Sequence, residues 1–232
     1  MRLLGNDGKG MTLSTPVREV LKRELLSCIE GEPSRSIRKK VSDVVGQLGI
    51  NIMSNDPGGW PELLPFMLAA TRSGNVQLHE SALTIFNSLS EFIAERMQAH
   101  HQMLLEVFRS SLQPQQPLSV RNAALRALAS FLMAVDEPSA RTPFQELVPL
   151  MLQTISDALA QGQEDECREA LEVFVEVAES QTKFLKKVNH PLRIYIIACR
   201  VVDTVPIEGD SAHCEYSPHL WWLQSRRQSS PR

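Results

Sequence analysis

The chain has 232 residues, of which 43% are hydrophobic, so it can bury a sizeable core and global disorder is not expected. Its 24 basic and 27 acidic residues give a formal charge of −3, so we predict no direct nucleic-acid partner. The longest apolar run, residues 192–205, contains charges and is too short to cross a bilayer, so we predict no membrane insertion. Four cysteines without a CxxC pair are typical of reduced thiols in an intracellular protein.

Residues 1–14 contain glycines and charges but lack the apolar core of a signal peptide, so we predict a flexible N-terminus and no secretion. Thr15-Pro16 then opens a helix. In that helix an apolar stripe recurs at helical spacing and needs a neighbour to bury it. The stripe consists of Val17, Val20, Leu21, Leu25 and Cys28.

A repeat follows. The segment Glu62–Leu68 recurs in closely similar form as Glu146–Leu152, 84 residues later. Each such first helix is followed by a second amphipathic segment, and the anchor residues of these second segments are spaced 41, 42 and 47 residues apart. The anchors are Arg38, His79, Arg121 and Arg168. The period is that of HEAT-type units, and it predicts four helical hairpins.

Local signals mark where several of these helices begin. Thr142 precedes Pro143 and stands three residues before Gln145, which predicts a capping box. Asn75 and Ser119 precede the second helices of two hairpins and are predicted N-caps.

Two prolines occupy equivalent positions in the repeat, Pro65 and Pro149. Inside an apolar helix each would remove a hydrogen bond at a cost of about 3 kcal/mol unless the helix bends. We therefore predict a kink in these first helices, which would let each curve over its partner.

A proline followed fourteen residues later by a basic residue, as in Pro65 and His79, resembles the HEAT consensus. More specifically, the segment from about Val17 to Lys187 resembles the amino-terminal HEAT repeats of the importin beta-3 type of karyopherin. His79 departs from it, because arginine is usual at that position. The matching segments are Arg38–Asp43, Trp60–Glu62, Asn75–Phe86, Leu147–Pro149 and Lys183–Leu185.

The resemblance implies an all-α HEAT-repeat solenoid, a right-handed superhelix of antiparallel hairpins, with about four repeats in residues 15–188. It implies a fragment of a nuclear import receptor that shuttles between cytoplasm and nucleus. The implied partners are Ran-GTP, phenylalanine-glycine repeats of nucleoporins, and import cargo. Residues 189–232 do not continue the pattern and are predicted to be an irregular tail, either disordered or a product of altered splicing.

Within this resemblance, Arg38, Lys39 and Lys40 open a second-layer helix, the layer that faces the concave side. They are candidate partner-binding residues; the alternative is a solvated helix face with one structural arginine. Arg121 and Arg168 are predicted to form a structural ladder with acidic side chains of neighbouring turns. Phe66, Phe108 and Phe144 lie in first-layer helices and are candidates either for binding pore phenylalanines or, more commonly, for core packing.

No GxxxxGK[ST], GxSxG, HExxH or GxGxxG motif occurs, and the histidines and cysteines lack metal-ligand spacing. We therefore predict neither enzymatic activity nor a cofactor or metal. The alternative function is a static HEAT-repeat scaffold subunit of a phosphatase or chromosome complex, which the repeat alone would permit equally well.

Overall fold

The computed structural model describes residues 4–5, 12–55, 58–96 and 100–163, together with the single helical positions 168, 172, 174 and 177. The predicted tail, residues 189–232, lies outside the described residues. No helix among those described is long and apolar enough to span a membrane. The helices are α1 (Thr15–Gly31), α2 (Arg35–Asn55), α3 (Leu63–Arg72), α4 (Val76–Ser88), α5 (Ser90–Arg96), α6 (His101–Ser111), α7 (Leu118–Ala134), α8 (Pro138–Arg141) and α9 (Val148–Ala160), with a 3-10 helix at Thr142–Leu147 before α9.

The helices pair into hairpins and the hairpins stack. First-layer helices α1, α3 and α6 are each followed by a second-layer helix, α2, α4 and α7 respectively, and α9 begins a fourth unit, to which the single helical positions 168, 172, 174 and 177 belong. Helix α2 packs on α4, α4 packs on α7, and α5 continues α4 onto α7. The predicted all-α HEAT-repeat solenoid with about four repeats is confirmed.

Two short strands precede the array. Strand β1 (Leu4–Gly5) pairs antiparallel with β2 (Thr12–Leu13), with Leu4 opposite Leu13. The pair falls within residues 1–14, for which flexibility stays a prediction.

An aromatic cluster joins the second, third and fourth hairpins. Phe86 of α4 meets Phe108 of α6 edge-on, with ring centroids 5.1 Å apart, and Phe131 of α7 lies 5.1 Å from Phe144 of the 3-10 helix. His101 packs edge-on against both Phe131 and Phe144. Each such aromatic pair stabilises the fold by roughly 0.5–1.5 kcal/mol in addition to the free energy gained by burying its surface. The candidates Phe108 and Phe144 are therefore core residues, whereas Phe66 is half-buried.

The predicted proline kinks are wrong. Pro65 is the third residue of α3 and Pro149 the second of α9. In a first turn the backbone amide has no acceptor within the helix, so a proline there removes no hydrogen bond. Phe66, the next residue, donates to the carbonyl of Glu62 at 3.0 Å. The prolines therefore mark helix starts.

One predicted cap is confirmed and two are wrong. The Asn75 side chain accepts from the amides of Gln77 and Leu78 at 2.9 and 3.3 Å. Ser119, however, lies inside α7, whose N-cap is Pro117. Thr142 follows α8 directly, so its hydroxyl donates to the carbonyl of Pro138 at 3.3 Å and forms no capping box.

The predicted inner stripe of α1 is also wrong in part. Val20 is 50% exposed and Cys28 is exposed, whereas Lys22 and Ile29 are buried. The Lys22 ammonium donates to the carbonyl of Gly59 and to Glu19, both at 2.8 Å. A lysine buries its stem when its charge is satisfied in this way, so Lys22 joins α1 to the turn before α3.

The α2–α4 crossing is very close. A Cβ atom added at Gly46 would lie 2.4 Å from Cβ of Ser88. Helix α2 also approaches α3 closely, since a Cβ atom added at Gly49 would lie 2.9 Å from a methyl group of Leu63. Since Ser88 Cβ is held by the α4 backbone, only a residue without a Cβ fits at position 46.

We expect Gly46→Ala to force α2 and α4 apart and to lower the free energy of unfolding by about 1–3 kcal/mol, despite the better helix propensity of alanine. Urea unfolding measures this. The matched control is Gly31→Ala at the end of α1, where no atom lies within 4 Å; it should be neutral or stabilising by up to about 1 kcal/mol. If both substitutions have the same effect, the close crossing is contradicted.

His79 links hairpins through a buried contact. Its Nε2 lies 2.8 Å from the hydroxyl of Ser111, so α4 is tied to α6. Burial lowers the pKa of His79 below the ordinary histidine value. The folded chain therefore resists protonation of His79. The stability that His79 contributes is present above about pH 6.5 and is lost as the pH falls toward the lower pKa of His79 in the folded state.

We expect lowering the pH from about 7.5 to about 5.5 to destabilise the natural chain more than the His79→Gln variant, which has no titrating group there. The measurement is the free energy of unfolding of both proteins at both pH values. Burial also lowers the pKa of His101, but His101 is present in both proteins and cancels in the difference. An equal pH dependence would contradict the prediction.

Candidate protein-binding groove

The second-layer helices line a groove with a volume of about 850 Å³. Helix α2 contributes one bank, α4 the floor, and α7 with the turn after α9 the other bank. Most of the lining side chains are polar. They are Arg35, Ser36, Lys39, Asp43, Glu80, Thr84, Asn87, Leu118, Ser119, Asn122, Ala123, Arg126, Gln161 and Gln163.

Helical spacing places these residues on one face. Arg35, Lys39 and Asp43 recur at four-residue intervals along α2, and Glu80 and Thr84 do so on α4. The opposite faces carry the buried residues, so the polar stripe of each amphipathic helix is directed into the groove. Stacking the hairpins then aligns three polar stripes side by side.

The charges in the groove are mixed. Arg35 donates two hydrogen bonds to Oε1 of Glu80, one from Nε at 3.0 Å and one from Nη2 at 2.7 Å. This ion pair links α2 to α4. Lys39 and Asp43 are exposed on α2, and Arg126 lies on α7. Basic and acidic side chains interleave, so the groove suits a protein surface with mixed charge better than a polyanion.

The structure places the three predicted partner-binding residues on different faces. Arg38 is 3% exposed, and its Nη1 donates to the carbonyl of Glu32 at 2.7 Å. Lys39 lines the groove. Lys40 is exposed outside the groove lining. Each residue of a helix is rotated by about 100° around the axis from the one before, so three consecutive residues cannot share one face. Of these three residues, only Lys39 is positioned for a partner in the groove.

The two predicted ladder residues also differ. Arg121 is 3% exposed, and its Nη1 lies 2.6 Å from Oδ2 of Asp157 in α9. Its Nε and Nη2 have no hydrogen-bond partner within the described part of the chain. Arg168 is exposed. The ladder role of both residues stays a proposal, for which the contact between Arg121 and the next hairpin gives geometric support.

Sequence reasoning missed the α7 bank of the groove. Asn122 is 4% exposed, and neither atom of its side-chain amide forms a hydrogen bond among the described residues. Arg126 follows it by one turn, and Gln161 and Gln163 close that end of the groove. Aligning the second helices of the repeat would have identified Asn122, since it occupies the same repeat position as Lys39 and Glu80.

A second, smaller site lies between first-layer helices. Side chains of α3, α4 and α6 enclose an apolar cavity of about 20 Å³, which Met67, Phe86 and Met103 help to line. A cavity of this size holds little more than one water molecule. A phenylalanine ring would enter it only if α3 and α6 moved apart. No cluster of three potential metal ligands occurs among the described residues.

A family model described as "IPO5-like, TPR repeats" matches residues 33–192, a range that contains the whole groove. TPR units are about 34 residues long, whereas the anchor residues of this chain are 41, 42 and 47 residues apart. The repeat length of this chain is therefore of the HEAT type.

The chain is 26% identical over 184 residues to a probable importin-5 homolog of Dictyostelium discoideum, covering 78% of this chain and 17% of the relative. It is 26% identical over 172 residues to importin subunit beta-3 of Saccharomyces cerevisiae, covering 73% and 15% respectively. The chain thus spans about a sixth of the length of these relatives.

Solved structures of Kap121p share the fold. One has a TM-score of 0.61 at 21% identity and covers 82% of this chain and 19% of Kap121p. Kap121p bound to RanGTP has a TM-score of 0.57 at 23% identity, with coverage of 75% and 16%. Since the family model spans more than half of this sequence, the chain belongs to the IPO5-like family, the importin beta-3 type of karyopherin that its repeats resemble.

Proposed function

We propose that this chain is a segment of a nuclear import receptor and that its second-layer groove binds Ran-GTP. The observation that carries the proposal is the family match, which spans every residue lining the groove. Kap121p, which shares the fold, has been crystallised with RanGTP. The groove residue Lys39 supplies an exposed positive charge at the α2 bank.

The work of such a receptor is binding, not chemistry. A stack of hairpins has many similar interfaces, so small rotations at each can open or close the groove. A partner that prefers one curvature shifts the population toward it and thereby alters the affinity for a second partner. We propose no catalytic residue and no cofactor.

The same reasoning extends to the other partners. Kap121p has been crystallised with Nup53p, Ulp1p and Pho4p, and we propose that this chain likewise contributes to binding nucleoporins and import cargo. A receptor of this kind would be found in the cytoplasm and the nucleus. If a nucleoporin phenylalanine binds between α3 and α6, the small cavity there has to widen.

We expect the 232-residue chain to bind Ran loaded with a non-hydrolysable GTP analogue more tightly than Ran loaded with GDP. Biolayer interferometry at low salt measures both affinities. Lys39→Glu places a negative charge in the groove and should weaken the GTP-form complex by about 5–10-fold, mainly through slower association.

The matched control is Lys40→Glu on the same helix, which makes the same charge change outside the groove lining and should leave Ran affinity unchanged. Absence of GTP-selective binding at micromolar protein contradicts the Ran proposal and leaves the static scaffold as the alternative. Equal effects of the two lysine variants would contradict the assignment to the groove.

A further inference from the structure

Asn122 brings an unsatisfied amide to the groove. The residue lies near the start of α7, lines the groove and is 4% exposed. Neither its Oδ1 nor its Nδ2 forms a hydrogen bond among the described residues. By contrast, Oδ1 of Asn87, another amide of the groove lining, accepts from the hydroxyl of Ser130 at 2.7 Å. A buried donor and acceptor without partners destabilise a fold, so the amide of Asn122 calls for a ligand that satisfies both atoms.

The chemistry of a carboxamide restricts what that ligand can be. An asparagine side chain presents a donor and an acceptor side by side. The N–H and C=O of one residue in an extended chain point to the same side and complement this pair. In an α-helix both groups are already hydrogen-bonded within the helix, and a charged side chain satisfies only one of the two amide atoms. The amide of Asn122 therefore favours an extended main chain.

The groove has room for such a segment. Its volume of about 850 Å³ lies within the range of ligand-binding clefts, which suits a few residues of chain better than a folded domain. At the end where Asn122 lies, Gln161 is exposed and Gln163 is half-buried. Both side chains are long, uncharged and free to change rotamer, so they can turn aside for a partner.

The α2 bank selects the side chains of the segment. Arg35 is paired with Glu80, whereas Lys39 and Asp43 are exposed and form no ion pair among the described residues. They are four residues apart, which is about 6 Å along a helix. Side chains two residues apart in an extended chain share one face at a spacing of about 6.7 Å. Two opposite charges at that spacing therefore match Lys39 and Asp43.

We propose that the groove binds an extended segment of a partner protein. Asn122 hydrogen-bonds the N–H and C=O of one residue of that segment, and Lys39 and Asp43 pair with oppositely charged side chains two positions apart in it. The inference rests on the proposed function, since it takes the groove as the partner-binding surface, but it does not require the partner to be Ran. The main-chain contact supplies affinity, and the charge pair supplies selectivity.

The probe is a nine-residue peptide with blocked ends, Thr-Glu-Thr-Lys-Thr-Glu-Thr-Lys-Thr. Threonine favours an extended chain, and both orders of the charges are present, so binding in either direction is covered. Titration of the ¹⁵N-labelled 232-residue chain, followed by ¹H–¹⁵N NMR, measures the dissociation constant. We expect saturable shifts that include the side-chain NH₂ signal of Asn122, which is assigned by its absence from the Asn122→Leu variant.

Asn122→Leu should weaken peptide binding by about fivefold or more, because two hydrogen bonds to the peptide are lost. The same substitution removes two unpaired polar atoms from a buried site, so the chain should unfold at the same or a higher temperature. A purely structural asparagine would give a lower unfolding temperature and unchanged binding. The matched control is Asn51→Leu, at an exposed asparagine of α2 outside the groove lining, which should leave binding unchanged.

Methylation of the peptide nitrogens tests the main-chain contact directly. One version of the peptide carries N-methyl groups at its threonines, and a second carries them at its glutamates and lysines. Alternate N–H groups of an extended chain point to opposite sides, so only one version should lose binding, by about fivefold or more. With the Asn122→Leu variant, the methylated and unmethylated peptides should bind alike.

The charge pairing is tested by Asp43→Lys, which leaves two lysines on the α2 bank. We expect it to weaken binding of the alternating peptide by about two- to threefold. A peptide with glutamate in place of each lysine should bind this variant more tightly than it binds the natural chain. The same order of affinities for the two peptides in both proteins would contradict the pairing.

Three further results would overturn the proposal: no saturable binding of the alternating peptide, an Asn122→Leu variant that binds it as well as the natural chain does, or equal binding of the two methylated peptides. A lower unfolding temperature of Asn122→Leu would show that Asn122 has a partner within the chain, and would also contradict it. Because the peptide contains no part of Ran, its failure to bind is distinct from a failure of Ran to bind.

Discussion

A helical hairpin with apolar residues on several faces cannot bury all of them by itself, and this constraint governs the rest of the structure. In α2 the face that includes Gly46 covers α4, and in turn α4 covers α7. Each second-layer helix therefore supplies the cover for the next. The close approach of Gly46 to Ser88 keeps that cover tight enough to exclude water from residues such as Ile85.

The groove is a consequence of this stacking. Because two faces of each second-layer helix are used for burial, the polar stripe that remains is directed to one side. Arg35, Lys39 and Glu80 come to line one surface through helix stacking, although no sequence motif joins them. The ion pair between Arg35 and Glu80 crosses the same α2–α4 contact. Binding surface and structural interface are thus formed by the same helices.

The sequence predicted the repeat because the signal is long and redundant. The recurrence of Glu62–Leu68 and the spacing of the second helices identified the hairpins without any single residue being decisive. The cap at Asn75 was predicted for a local reason, since its side chain needs only the amides two and three residues later. Thr142 was mispredicted because the chain is already helical before it, in α8.

The sites were harder to predict, since they depend on rotation about a helix axis. Residues 38–40 read as one basic cluster, but helix geometry separates Arg38, Lys39 and Lys40. Lys22 is not among the apolar residues of the α1 stripe, and its burial depends on a contact distant in sequence, with the carbonyl of Gly59. Likewise, Val20 was assigned to an inner stripe because periodicity identifies an apolar face but not the side from which a neighbour comes.

Helices α4 and α7 are each stabilised by the second-layer helix that lies over them. Native-state hydrogen exchange of the 232-residue chain, read amide by amide by NMR, tests this most directly, since local opening reflects the burial of each element. We expect slowest exchange in α7 and α4, which are covered, and faster exchange in α2, whose Ile37 and Val44 are exposed. Protection in α2 equal to that in α7 would contradict it.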